Sequence, residues 1–178
     1  MLIIIFYMRY AKFLLLITTL SLFSCSNESY LDTKNRDYKT YYQDFGILNI
    51  NDEMYSEKSN DYFIYFYGEN CKYCTDIKGA VLDYFDAYKN HKVKNSFTPF
   101  IYDRDIETNI DFRNYFKTRP ENYSEIINTL VDEMLGAKSI KDTYFFYTPS
   151  IYFIKKHTLV DYKYGSKELA KYFKSQIK

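Results

Sequence analysis

The sequence predicts an α/β domain, and three observations carry that prediction. Tyr62-Phe63-Ile64-Tyr65-Phe66-Tyr67 is a continuous aromatic and β-branched run closed by Gly68, as in a central strand buried on both faces. Directly after it, Ile77, Val81, Leu82, Phe85 and Tyr88 recur at helical spacing. Both strand-like and helix-like segments recur from there to the C-terminus.

The remaining elements follow in order. Gly46 to Ile50 reads as a first strand, with Asn51 or Asp52 capping a short helix to about Ser59. Phe97 to Tyr102 reads as a strand ending at Asp103. Residues 106–117 and 121–136 read as largely helical, separated by Pro120, which cannot continue a helix. Tyr144 to Ile154 is an apolar run interrupted by Pro149, which has no N–H to give a strand ladder. Lys155 to Thr158 reads as a hairpin turn and Leu159 to Tyr164 as its return strand. Gly165 breaks the chain, and Leu169, Tyr172, Phe173 and Ile177 form the buried stripe of a last helix.

Composition narrows the functional classes. The 178 residues are 47% apolar, enough for one domain with appendages. Lys and Arg number 24 against 23 Asp and Glu, so no basic stripe is available to track phosphates and a nucleic-acid partner is not expected. The 22 Tyr and 15 Phe with no Trp carry no functional reading by themselves.

The amino terminus reads as an export signal. Arg9 and Lys12 flank the apolar run Phe13 to Phe23, and Leu22-Phe23-Ser24-Cys25 has the form of a lipid-attachment site. The run is shorter than the roughly 20 apolar residues a spanning helix needs. Met8 offers a second possible start. The expected organisation is a leader over 1–24, a polar tether over 25–43 lipidated at Cys25, and a domain over 44–178. Two or more acyl chains would then hold the protein on the outer side of a bacterial membrane.

Only three cysteines occur, which excludes a disulfide-dense scaffold. Cys71 and Cys74 fall between the strand and the helix, with Cys74 in the helix's first turn. Two residues apart at a helix start, they can reach disulfide geometry, and the first sulfur meets the positive end of the helix. Such sites lower a thiol pKa from about 8.5 to roughly 3.5–7.5, making Cys71 the expected nucleophile. Cys74 then resolves the mixed disulfide, while Lys72 adds positive charge nearby. Two other readings of the pair are a fixed bridge and half of a metal site. His91 and His157 lie outside any ligand-spaced cluster with it, so no metal is expected.

With these residues in place the chain resembles the thioredoxin-like family, in particular its membrane-tethered bacterial members. The matching features are the strand leading into Glu69-Asn70-Cys71-Lys72-Tyr73-Cys74, Thr148-Pro149 opening a strand, and Gly165 before a terminal helix. The resemblance implies a three-layer α/β fold, with a central mixed sheet and helices on both faces. It places the cysteines at the tip of the second helix and Pro149 cis beside them, whereas the block over about 104–143 is longer than the family's corresponding segment and looks like a helical insertion. It also implies that Thr148 and Pro149 meet the substrate chain in strand-like fashion, and that no cofactor is needed.

The chain departs from the family pattern at several positions. Tyr65 stands where thioredoxins carry a buried aspartate, Asn70 where an aromatic residue precedes the first cysteine, Lys72-Tyr73 in place of Gly-Pro, and Gly79 where a proline often bends the helix. The redox potential therefore does not transfer, and Lys72 and Tyr73 become the residues expected to tune the thiolate.

The function expected on this basis is disulfide exchange with cysteine-containing secreted or surface proteins, coupled to a membrane or extracytoplasmic thiol partner, in a monomer. A reductase serving haem or metal-protein maturation is a variant of the same chemistry. The alternative from another class is a non-catalytic, peptide-binding accessory lipoprotein resembling bacteriocin-transport accessory proteins.

Overall fold

The computed structural model describes residues 36–56, 61–105 and 111–178. The expected leader, the lipid-attachment site at Cys25 and the first part of the tether lie outside the described residues.

The first element, α1 (Tyr38–Phe45), falls within the stretch read as tether. Asp37 caps it by accepting from the Lys39 N–H at 3.2 Å. Tyr38, Tyr41 and Phe45 repeat at i, i+3 and i+7, and all three are buried. This stripe corrects the expected boundary at residue 44: the compact unit runs from Asp37 to Lys178.

The first strand predicted over Gly46 to Ile50 shrinks to a single parallel bridge between Gly46 and Ile101, with Ile47 N–H donating to Ile101 O at 2.9 Å. Leu48 is solvent-exposed, and Asn49, not Asn51 or Asp52, turns its side-chain oxygen to the N–H groups of Asn51 and Asp52. It thereby caps the short α2 (Ile50–Glu53).

Four strands form one sheet: β1 (Asp61–Tyr67), β2 (Thr98–Asp103), β3 (Ser150–Lys155) and β4 (Thr158–Tyr164), in the order β2-β1-β3-β4. β1 runs parallel to β2 and antiparallel to β3, and β3 pairs antiparallel with β4. The sheet is therefore mixed, and the aromatic run of β1 sits inside it. Residues 62–67 are all buried, because alternate side chains supply two cores. Pro99 is accommodated on β2, the outer strand beside β1. The β3–β4 turn is Lys156-His157, both at positive φ, as a two-residue hairpin of this twist requires.

One face of the sheet presents Phe63, Tyr65, Tyr67, Ile101 and Phe153 to α1, to α3 (Lys72–Lys89) and to the last helix, which spans Ser166–Gln176. The other face presents Tyr62, Ile64, Phe66, Tyr102 and Tyr152 to α2 and to residues 112–147. That segment is less helical than expected. Its described part holds only α4 (Ile127–Met134) and two 3-10 turns, Phe112–Tyr115 and Ile140–Asp142. It packs instead through aromatic rings, such as Phe112 against Phe145 at 4.8 Å and Phe66 against Phe145 at 5.5 Å. The last helix, α5 (Ser166–Gln176), buries Leu169 and Phe173 in the first core. This is the three-layer α/β arrangement that the resemblance implies, with the cysteine pair on the third described helix instead of the second.

Candidate functional site

The site is built where β1 ends. Gly68-Glu69-Asn70 carries the chain off the sheet, and Cys71 N–H donates to Gly68 O at 3.2 Å. Cys71 is the N-cap of α3, in extended backbone, and its sulfur accepts the Cys74 N–H at 3.2 Å. Sulfur thus occupies the position where a cap oxygen would meet the unpaired donors of the first turn. Cys71 and Cys74 are joined in a disulfide with their Cα atoms 5.2 Å apart. Both are buried.

The second half of the site arrives from the opposite layer. Tyr144, Phe145 and Phe146 are buried in the second core and lead into Thr148-Pro149, whose peptide bond is cis. Cys71 Sγ lies 3.6 Å from the Thr148 carbonyl oxygen. Residues 77 apart in sequence are thereby brought together. Beside them is an open cleft of about 360 Å³ lined by Tyr73, Tyr147, Thr148, Pro149, Tyr164 and Ser166. Tyr147 packs on Tyr164 at 5.7 Å and on Tyr123 at 5.9 Å, so the 112–147 segment furnishes one wall. Tyr73, 60% exposed, forms part of the rim. Lys72, the first residue of α3, is exposed.

The sequence reading gives no site role to three groups around the cysteine loop, although it names Tyr65 and Asp103. Tyr38 donates its hydroxyl to the Cys74 carbonyl at 2.9 Å, and the Tyr65 hydroxyl lies 3.1 Å from it, so Tyr65 donates to Tyr38. Burial pushes both phenols well above the ordinary tyrosine range, so they act as neutral donors. The Tyr38/Tyr41/Phe45 spacing behind Asp37 was the signal that could have found this helix. The second group is Asp103, 3% exposed at the end of β2, which accepts the Asp105 N–H at 3.0 Å. Burial raises its pKa above the usual carboxylate value. The third is Arg104, whose guanidinium donates to Thr148 Oγ1 at 3.0 Å. Nothing local in the sequence marked it.

Among the described residues no group of three or more His, Cys, Asp or Glu is arranged to hold a metal ion, and no helix is long and apolar enough to cross a membrane.

No protein-family model and no curated protein matches the chain. Solved structures do. The chain is similar to oxidised mitochondrial thioredoxin 3 of Saccharomyces cerevisiae, with 15% identity, 76% of this chain and 98% of that chain covered, and a TM-score of 0.41. It is similar to a yeast structure addressing thiol resolution in the mitochondrial 1-Cys peroxiredoxin via the glutathione and thioredoxin systems, with 14% identity, 75% and 97% coverage and a TM-score of 0.41. A thioredoxin of Malassezia sympodialis, Mala s 13, aligns at 13% identity over 79% of this chain and 85% of its own, with a TM-score of 0.36.

Proposed function

We propose that the chain is a thiol–disulfide oxidoreductase whose reacting groups are Cys71 and Cys74. The observation that carries this reading is the placement of the Cys71 sulfur. It sits at a helix N-cap, receives a backbone N–H at 3.2 Å and lies 3.6 Å from the carbonyl before a cis-proline. A helix start favours the thiolate at that position. In the reducing direction the Cys71 thiolate attacks a substrate disulfide, and the far substrate sulfur leaves as a thiolate and takes a proton from water. Cys74, as thiolate, then attacks Cys71 and releases the second substrate sulfur. Two electrons pass to the substrate and the Cys71–Cys74 bond forms. Run in reverse, the same steps oxidise a substrate dithiol. Thr148 and Pro149 border the channel through which the substrate chain enters, and Lys72 and Tyr73, on the exposed rim, tune the thiolate and meet the partner.

The setting belongs to the same proposal. The Cys25 signal supports export and lipid anchoring on the outer side of a bacterial membrane, with secreted or surface proteins as substrates and a membrane or extracytoplasmic thiol as redox partner. The domain acts as a monomer.

One observation favours a second reading, a peptide-binding accessory lipoprotein: the tyrosine-walled cleft is lined by neither cysteine. Cys71→Ser separates the two. On the exchange reading it abolishes turnover of a model protein disulfide and every cell function of the protein, whereas Cys74→Ser accumulates mixed disulfides that identify the substrates. Full function of a folded Cys71→Ser protein would favour the accessory reading. Palmitate labelling that disappears in Cys25→Ala tests the anchor.

A further inference from the structure

Where β2 ends, the chain makes a tight turn. Asp103 accepts the Asp105 N–H, and Arg104 N–H donates to Tyr67 O at 3.0 Å, so the turn is locked to the end of β1. Arg104 then extends back over Gly68, close enough that a Cβ at Gly68 would stand 2.6 Å from Arg104 Nε. Gly68 opens the loop that carries Cys71, and its carbonyl accepts the Cys71 N–H. At its far end the guanidinium donates through Nη1 to Thr148 Oγ1, while Nε is held by Asp105 Oδ1 at 3.3 Å. One side chain therefore rests on the cysteine loop and is hydrogen-bonded to the cis-proline loop. The planar fork with fixed donors suits arginine to this double engagement better than lysine.

We propose that Arg104 is a positioning residue for disulfide exchange: it holds Thr148 and the Cys71 loop at a fixed separation, so that an entering peptide presents its sulfur to Cys71 in reactive alignment. This inference rests on the exchange reading above and specifies which residue sets its geometry. Arg104 makes no bond to the sulfurs and acts through Thr148. Attack requires reacting atoms about 3–3.5 Å apart and aligned, and a misplacement of about 1 Å can cost on the order of a hundredfold. A peptide that runs along Thr148 feels that loss, whereas a small dithiol that reaches the disulfide without using the loop feels less of it.

The test measures two rate constants on the oxidised full chain: reduction of Cys71–Cys74 by a short cysteine-containing peptide and by dithiothreitol. The readout is their ratio. Arg104→Gln is expected to lower the peptide/dithiothreitol ratio about tenfold, the scale of one lost charge-assisted hydrogen bond. Thr148→Val is expected to do the same, and the double variant no worse than either single one, because both remove one interaction. Arg104→Lys recovers part of the ratio. Gly68→Ala, which leaves every charge in place but displaces Nε, lowers it, and keeps the test alive should Arg104→Gln fail to fold. A ratio within twofold of the parent in folded Arg104→Gln, or losses that multiply in the double variant, overturns the inference while leaving exchange intact. A parent disulfide that neither reagent reduces overturns the exchange reading and this inference together.

Discussion

The two faces of the sheet contribute the site's two loops by different physical means. On the first face the cysteine loop is fixed by regular structure: Cys71 caps α3, α1 is bonded to the Cys74 carbonyl, and α5 packs alongside. On the second face the cis-proline loop is delivered by 112–147, most of whose residues are irregular and which is held by edge-on and tilted ring contacts. The backbone of the first loop satisfies its hydrogen bonds within a helix, and that of the second does not. The second is held instead by apolar burial together with hydrogen bonds from other segments, such as Arg104 to Thr148 Oγ1 and Arg119 to the Phe146 carbonyl. The site lies where the two meet, so damage to either core should reach the chemistry, by different routes.

The largest expected effect comes from the second core. Phe66 is fully buried and packs against Tyr102, Phe116, Phe145 and Tyr152. Phe66→Ala should cost about 3–5 kcal/mol in denaturant unfolding. In the fraction that stays folded it should also slow peptide exchange, since Phe145 leads into Thr148. Unchanged exchange in that fraction would break the link between this core and the loop.

The first face predicts a smaller, polar effect. Tyr38→Phe removes the donor to the Cys74 carbonyl and the acceptor of the Tyr65 hydroxyl. A loss of about 1–3 kcal/mol follows, because both remaining groups are buried. Adding Tyr65→Phe should return part of it, and urea melts of the two variants measure both steps.

Gly79 sharpens the same face in the opposite direction. It lies exposed inside α3 with open space where a Cβ would go. Gly79→Ala should therefore stabilise the protein by about 0.5–1 kcal/mol, read as a higher denaturation midpoint.

The smallest effect is pH-dependent. Burial raises the Asp103 pKa in the folded state above its ordinary value of 3.8. Between that value and the raised one the folded chain binds more protons than the unfolded one, so this carboxyl's contribution to stability falls as pH rises through the window. Asp103→Asn, which keeps an oxygen for the Asp105 N–H, should be more stable than the parent at pH 7 and lose that advantage below about pH 3.8. Melts at the two pH values check the sign.

The same contrast explains which parts were legible in the sequence. β1, α3, the β3–β4 hairpin and α5 carry local periodicities, and the Cys-Lys-Tyr-Cys and Thr-Pro pairs sit at the ends of such segments. Helix α1 was hidden because Lys39, Thr40, Gln43 and Asp44 dominate its composition, although its buried rings keep helical spacing. In the 112–147 segment only Ile127–Met134, inside the stretch read as helix, keeps a helical period; the rest offers none, since its rings pack irregularly. Arg104 was out of reach for a different reason. Its position has meaning only through Thr148, 44 residues later, and no local pattern encodes that contact.

The docking of α1 has one further consequence, which follows from chain length alone. Because Tyr38, Tyr41 and Phe45 are buried against the body of the protein, on the proposed anchoring at Cys25 the compact unit would begin twelve residues from the lipid, at Asp37, and not nineteen, at Asp44. At roughly 3.3–3.6 Å per residue, twelve residues reach at most about 43 Å. On the proposed anchoring, the cysteine pair would work close to the bilayer and meet only clients that come near it.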